Sequence, residues 1–469
     1  MIARYLLVLV FMFCQTSLGT ESLDIESTDV IEFDKPSVFE DSWVDQMFEY
    51  QYEMSTPSSH KAFTVRLSHQ LFGQVNNHSI GLPSGQRYQK TNKIEHNRTG
   101  INIRFSSAFA PNWLLQGSWQ ARLFWNQDYE YEANKGIEAE YRVNELFLQR
   151  SLGRHSLKLG RQTVVWGRTV GNSVLDVINH TEFRDFSIID IEDARLNQWM
   201  LIWDVFDKQS QFSSFLNLYP EFNPSPEEGS PLYFALPIKL EDTRRNSSPI
   251  FEAGARWSKS YDRSDIALMG AYLWENQLQY KLSATELMQA RGIKNDFYLL
   301  GLSANYASDR LLLTLDVALS RGVFLEKSLL SITSPENITD VKKDKLGISF
   351  GFEYGISSTQ DLSLSAKMET LIDERDGLKT NQQLVTEGTR GTWLLRYSKR
   401  ILDENITFSS TLQGDLDGNS ILISLRSDFA ISDQIEIGYH LLFIDANNDS
   451  QMTIFDQDLR LGATLTYFF

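Results

Sequence analysis

Cysteine is almost absent from this chain: one residue in 469, Cys14, and it lies inside an N-terminal apolar run. A disulfide-built secreted domain is therefore excluded. Histidine is scarce as well, with seven scattered residues, and no His/Cys spacing for zinc is present. There is no glycine-rich phosphate loop and no complete calcium loop. Asp415-Leu-Asp-Gly418 and Asp445-Ala-Asn-Asn-Asp449 read as acidic hairpin turns. No cofactor or metal site is expected. Positive charge is in deficit, with a formal net charge of −17, which disfavours nucleic acid as a partner. After the N-terminus no apolar stretch approaches the roughly 20 residues that a membrane helix needs. Proline-rich and low-complexity linkers are missing too, so nothing divides the chain into several domains.

What is present begins with Arg4, an apolar run from Tyr5 to Cys14, and small or polar residues to Gly19. This reads as a signal peptide over 1–19, and the bulky Phe13 before Cys14 rules out lipoprotein processing. About half of the negative excess sits in 20–61, an acidic segment expected on the periplasmic side. Export without cysteine points to a Gram-negative envelope.

From residue 62 the chain resolves into short segments of period-two patterning. Leu115, Gly117, Trp119, Ala121 and Leu123 alternate with Gln116, Ser118, Gln120 and Arg122; Leu346, Ile348, Phe350 and Phe352 alternate with Gly347, Ser349 and Gly351. The last segment, Leu459–Phe469, alternates likewise and ends on an aromatic. Short turns are expected at 110–112, 152–155, 207–209, 260–263, 308–310, 357–360, 401–404 and 431–434. Long polar connections fall between them, near 74–97, 127–141, 165–195, 220–250, 275–295, 323–344 and 373–389, with shorter ones near 414–419 and 447–456. Alternating strands of about ten residues, with short turns at one rim and long loops at the other, predict an all-β fold: a transmembrane antiparallel β-barrel of about 18 strands (16–18) in the bacterial outer membrane. Ser283–Glu286 fits a capping box for a short helix in one outer loop.

Charge on the lipid face of such a barrel costs about 2–4 kcal/mol at the midplane. Arg104, Arg122, Arg256, Glu353, Lys367, Arg396, Arg426 and Asp428 are therefore expected to line the lumen, either as a polar pathway or as salt bridges that brace the wall. The 165–195 connection is unusually dense in paired charge. Arg161, Arg168, Arg184 and Arg195 interleave with Asp176, Glu182, Asp185, Asp190, Glu192 and Asp193, with Asn179 among them and Trp166 and Phe183 for apolar contact. A long loop of this kind is expected to fold into the lumen as a plug or constriction held by arginine–carboxylate pairs, or to touch the solute directly.

Gly160-Arg-Gln-x3-Trp-Gly167, Leu175-Asp-Val-Ile-Asn179, Arg184-x-Phe186 and Glu192-Asp-Ala-Arg-Leu196 resemble the signature of a family of proteobacterial outer-membrane proteins filed as domain of unknown function 1302. The match is strong over 159–199. It departs at His180 and Asn197, where the family pattern has proline. The resemblance implies an exported porin-like barrel, often linked to transport of hydrophobic or lipid-like compounds beside an inner-membrane transport partner.

Catalysis is not expected. His69 lies on the apolar face of the first strand with no serine and oxyanion arrangement beside it, and His78-Ser79 and His155-Ser156 face opposite ways as neighbours. The expectation is a channel or transporter for small or hydrophobic solutes. Outer-membrane lipid and lipopolysaccharide are its surroundings, with divalent cations bridging the acidic exterior, and a periplasmic or inner-membrane protein is the expected transport partner. The alternatives are a non-conducting barrel serving as adhesin or anchor and, further off, an outer-membrane hydrolase.

Overall fold

A computed structural model describes residues 61–469 except 77, 82–86, 91–92, 130–138, 183, 185–193, 226–238, 245–249, 283–288, 325–341, 373–388, 403–404, 448–449 and 451. The signal and acidic segments (1–19 and 20–61, of which only Lys61 is described), the capping box at 283–286, and Phe183, Asp185, Glu192 and Asp193 lie outside the described residues.

Eighteen antiparallel strands close into one barrel. They are β1 Lys61–Gln74, β2 Lys93–Ala110, β3 Trp113–Phe124, β4 Ala139–Leu152, β5 His155–Gln162 and β6 Gln198–Phe206. Then follow β7 Ser210–Asn217, β8 Glu252–Ser260, β9 Ser264–Trp274, β10 Asp296–Ser308, β11 Leu311–Phe324 and β12 Lys342–Ser357. The last six are β13 Gln360–Ile372, β14 Thr389–Ile401, β15 Ile406–Asp415, β16 Ser420–Ser432, β17 Ile435–Ala446 and β18 Asp458–Phe468. Each strand pairs with its sequence neighbours, and the ring closes where β1 pairs with β18, Leu67 opposite Tyr467. All eight short turns and all nine longer connections fall where the patterning places them.

The tight rim depends on left-handed backbone at Gly153 (φ 60°) and at Asn112 (φ 65°), a residue type that tolerates that region better than most. Outer connections add a three-stranded sheet, Lys239–Glu241 with Gln289–Ile293 and Gln279–Leu282, and a hairpin of His78–Gly81 with Arg87–Lys90.

Alternation now has a direction. Leu159, Leu201, Trp203, Leu268, Leu300, Phe350, Leu364 and Leu465 are exposed on the outside, although they are large and apolar. Their strand neighbours Ser156, Asp204, Ser303, Asp316, Ser349, Ser365 and Thr466 are polar and buried. An apolar exterior around a polar interior inverts the soluble arrangement and requires hydrocarbon outside. Leu300→Lys, midway along β10, is accordingly expected to cost about 2–4 kcal/mol of folding stability in bilayers, whereas Thr464→Lys, inward on β18, should cost less than about 1 kcal/mol. Denaturant titration in liposomes would measure both. Equal costs would mean that the faces have been assigned wrongly.

Candidate functional site

The connection between β5 and β6 spans 163–197, and its described residues (163–182, 184 and 194–197) turn inward and follow the inner wall. Its contacts advance from strand to strand. Trp166 meets Phe215 of β7 edge-on, with ring centroids 5.5 Å apart. Arg168 Nη1 donates to Asp265 Oδ2 of β9 at 3.0 Å. The Val174 amide donates to Ser349 Oγ of β12 at 3.3 Å. Thr392 Oγ1 of β14 donates to Asn172 Oδ1 at 3.1 Å. β14 stands nine strands from β5 in a ring of eighteen, so the loop reaches half-way round the barrel.

Asp316 of β11 anchors the middle of this path. Its side chain is fully buried and accepts from the amides of Arg168 and Thr169, both at 3.0 Å, from Ser173 Oγ at 2.7 Å and from Ser303 Oγ at 2.6 Å. Three of these four donors belong to the loop. Hydrogen bonds to a charged acceptor in a low-dielectric site are the strong kind, and two here are backbone amides that water would otherwise have to satisfy.

Around this anchor the inner wall is apolar. Trp166, Val174, Leu175 and Ile178 pack on Met200, Ile202, Phe215, Ala267, Met269, Leu273, Phe297, Leu299 and Ala318 in one buried cluster. Fully burying each large side chain contributes about 1.5–3 kcal/mol. Two wall glycines make the fit. A Cβ on Gly301 would sit 2.5 Å from Leu175, and one on Gly254 would sit 2.7 Å from Trp166. The loop is also clasped to itself: Asn179 Nδ2 donates to the Val164 carbonyl at 2.8 Å, and the Val164 amide donates back to Asn179 Oδ1 at 3.1 Å.

At the neck the two limbs of the loop meet. Thr181 bridges to Arg195, the Glu182 amide donates to the Ala194 carbonyl, and the Leu196 amide donates to the His180 carbonyl. Arg195 pairs with Asp176 at 2.7 Å. Glu182 receives Arg184 at 2.7 Å and Arg142 of β4 at 3.1 Å. Burial alone would push the Glu182 carboxyl up, but the Arg184 hydrogen bonds and the charges of Arg184 and Arg142 outweigh it and hold it at about 2. The Arg184 guanidinium is burdened by burial, yet Glu182 holds its proton more firmly than usual.

The sequence-derived site residues thus separate into groups. Trp166, Arg168, Asp176, Asn179, Arg184 and Arg195 all belong to the docked loop, and their charges are spent on pairs within the loop or with the wall. Arg161 departs from expectation: it belongs to β5, and pairs with Glu221, beyond β7, at 2.6 Å.

The eight charges placed in the lumen all fall on inward strand positions by register. Arg122 faces Glu140 at 3.8 Å, and Arg426 holds Asp428 at 2.6 Å. Arg104 stands opposite Ser118 and near Glu145. Glu353 and Arg396 both register with Ser363, and Lys367 lies between Ser349 and Thr392. Arg256 is the exception in kind, because it sits beside Arg168 and Asp265 under the loop. Sequence reasoning missed Asp316, Asp265, Ser349 and Thr392. The one available signal was Asp316, the only charge in the Leu311–Leu319 stretch.

No family model and no curated protein matches this sequence. Solved structures do. OccK9 (OpdG) of Pseudomonas aeruginosa superposes with a TM-score of 0.50 at 11% identity, over 87% of this chain and 98% of that one. OccAB1 of Acinetobacter baumannii gives 0.50 at 6% identity, over 87% and 96%. The likeness is one of fold. The outer membrane channel DcaP of Acinetobacter baumannii is more distant, with a TM-score of 0.44 at 10% identity over 88% and 99%.

Proposed function

We propose that this protein is an outer-membrane channel that passes solutes through its lumen, narrowed by the 163–197 loop. The observation that carries this reading is the loop's path along half of the inner wall, anchored on Asp316. An apolar belt outside, a polar lining inside and long connections at one rim support a place in the outer membrane. Passage then involves no covalent step. Solutes are sieved by the gap between the loop and the remaining wall, where mixed charge from Arg104, Arg426, Asp428 and Glu145 meets them.

Membership of the family filed as domain of unknown function 1302 is part of the proposal. The motif residues that suggested it, Trp166, Leu175, Asp176, Ile178, Asn179 and Arg195, are the ones that seat and brace the loop. A periplasmic partner that delivers cargo remains part of the same reading.

Single-channel recording in planar bilayers tests it. The refolded protein is expected to give ohmic steps, and deleting 168–193 is expected to raise their size several-fold. A folded but silent barrel would refute conduction, and a folded deletion with unchanged conductance would refute the constriction.

A further inference from the structure

The neck of the loop holds a buried histidine among seven charged side chains of the described residues. The His180 side chain is about 5% exposed, and its Nε2 lies 3.4 Å from Glu221 Oε2. Among the described residues its Nδ1 meets no hydrogen-bond partner. Glu221 is already held bidentately by Arg161 of β5, at 2.6 and 2.9 Å. On the loop side stand Glu182 and Arg184; from β4 come Arg142, 3.1 Å from Glu182, and Glu140, 3.8 Å from Arg184. From β3 comes Arg122, 3.8 Å from Glu140, so that among the described residues four arginines face three carboxylates. Each of these carboxylates already has an arginine on it. A proton on His180 would add a further buried cation where, among the described residues, every neighbouring carboxylate is already paired with an arginine.

The position makes this matter. The His180 carbonyl accepts the Leu196 amide, next to the Thr181–Arg195 bridge, so this residue ties the outgoing limb of the loop to the returning one. We propose that His180 is an acid-released latch, whose protonation undocks the neck of the lumen loop and widens the channel. This rests on the constriction reading above, but its first readout is independent of conductance.

The sign follows from the two states. In the docked loop, burial first, then the charges of Arg161 and Arg142, push the imidazole from 6.5 down to about 4, against the pull of Glu221 and Glu182. In the released, hydrated loop it would regain its ordinary value. Between those two pH values the released form takes up a proton that the docked form refuses, so docking weakens by up to tenfold for each pH unit. Glu182, held at about 2 when docked, adds a second acid penalty only below its ordinary 4.5. Of these two loop groups, only His180 titrates between pH 6.5 and 4.5.

Val174 supplies the probe, since it is buried against the wall and Cys14 is the only native cysteine. In Val174→Cys barrels refolded in liposomes, the rate of labelling by a water-soluble thiol reagent reports undocking. The reagent must be one whose intrinsic rate is corrected with a free thiol at each pH. The corrected rate is expected to rise at least tenfold from pH 6.5 to 4.5, and the rise should vanish when His180→Gln is added. A flat rate in the parent, or an equal rise with His180→Gln, would overturn the latch. If labelling rises through His180 while conductance stays constant, the latch stands and the constriction fails. If loop deletion raises conductance but labelling ignores pH, the constriction stands and the latch fails.

Discussion

Asp316→Ala is expected to release the loop and bring the channel close to the conductance of the loop deletion. The substitution removes the acceptor for two loop amides, one loop hydroxyl and one wall hydroxyl at once. Stranding buried donors costs about 1–3 kcal/mol each. The released loop escapes that penalty by hydrating its own three, which is why opening is favoured over a strained closed state. The loss is partly offset because a desolvated carboxylate disappears as well, so the net shift should fall near 3–5 kcal/mol. Asp316→Asn is the informative companion. It keeps one acceptor oxygen and loses the charge, and should give an intermediate conductance with frequent transitions. Barrel stability, followed by the gel shift between folded and unfolded forms, should change little in either variant, because β11 keeps both neighbours. Wild-type conductance in Asp316→Ala would show that the apolar contacts alone hold the loop.

Gly301→Val should produce a comparable opening without touching the loop or any polar group. β-Branched residues suit strands, so β10 itself should not suffer. The added Cβ would stand 2.5 Å from Leu175 and 2.7 Å from Met269, separations that side chains do not adopt. Overpacking of this kind costs about 1–3 kcal/mol, and a loop can leave where a strand cannot. Adding Leu175→Ala should restore part of the closed conductance by returning the space, a non-additive rescue of the sort that contacting residues show. If the double variant is as open as Gly301→Val alone, the clash lies elsewhere and the proposed fit of Leu175 to Gly301 is wrong.

Period-two patterning made most of the barrel legible from the chain. One face of each strand must meet hydrocarbon, so the choice of residue is restricted at every second position. Leu115 to Leu123 and Leu346 to Phe352 show that restriction directly, and tight turns such as Pro111-Asn112 interrupt it visibly. The inward placement of the lumen charges followed from the same rule. The partners of the loop did not, for two physical reasons. Asp316 occupies an ordinary inward position, and nothing local distinguishes a carboxylate that meets water from one that meets a loop 148 residues away. The apolar inner wall of β6–β11 was also disguised. Met200, Ile202, Met269 and Leu299 alternate with equally apolar outward residues, so the segments read as continuous runs whose two faces cannot be told apart. His180 was visible only as a missing proline.

That separation of 148 residues between Arg168 and Asp316 also sets an order of events in assembly. β5 and β6 pair with each other locally, but the seat for their loop consists of β7 to β14, which follow in the chain. Until those strands are in place the loop has no complete seat, and its apolar side chains stay uncovered. A barrel stalled before β14 would therefore carry a bare loop and an unlined breach in the same molecule. Such an intermediate would leak across the envelope and bind chaperones through Trp166, Val174, Leu175 and Ile178, the residues that the finished protein hides.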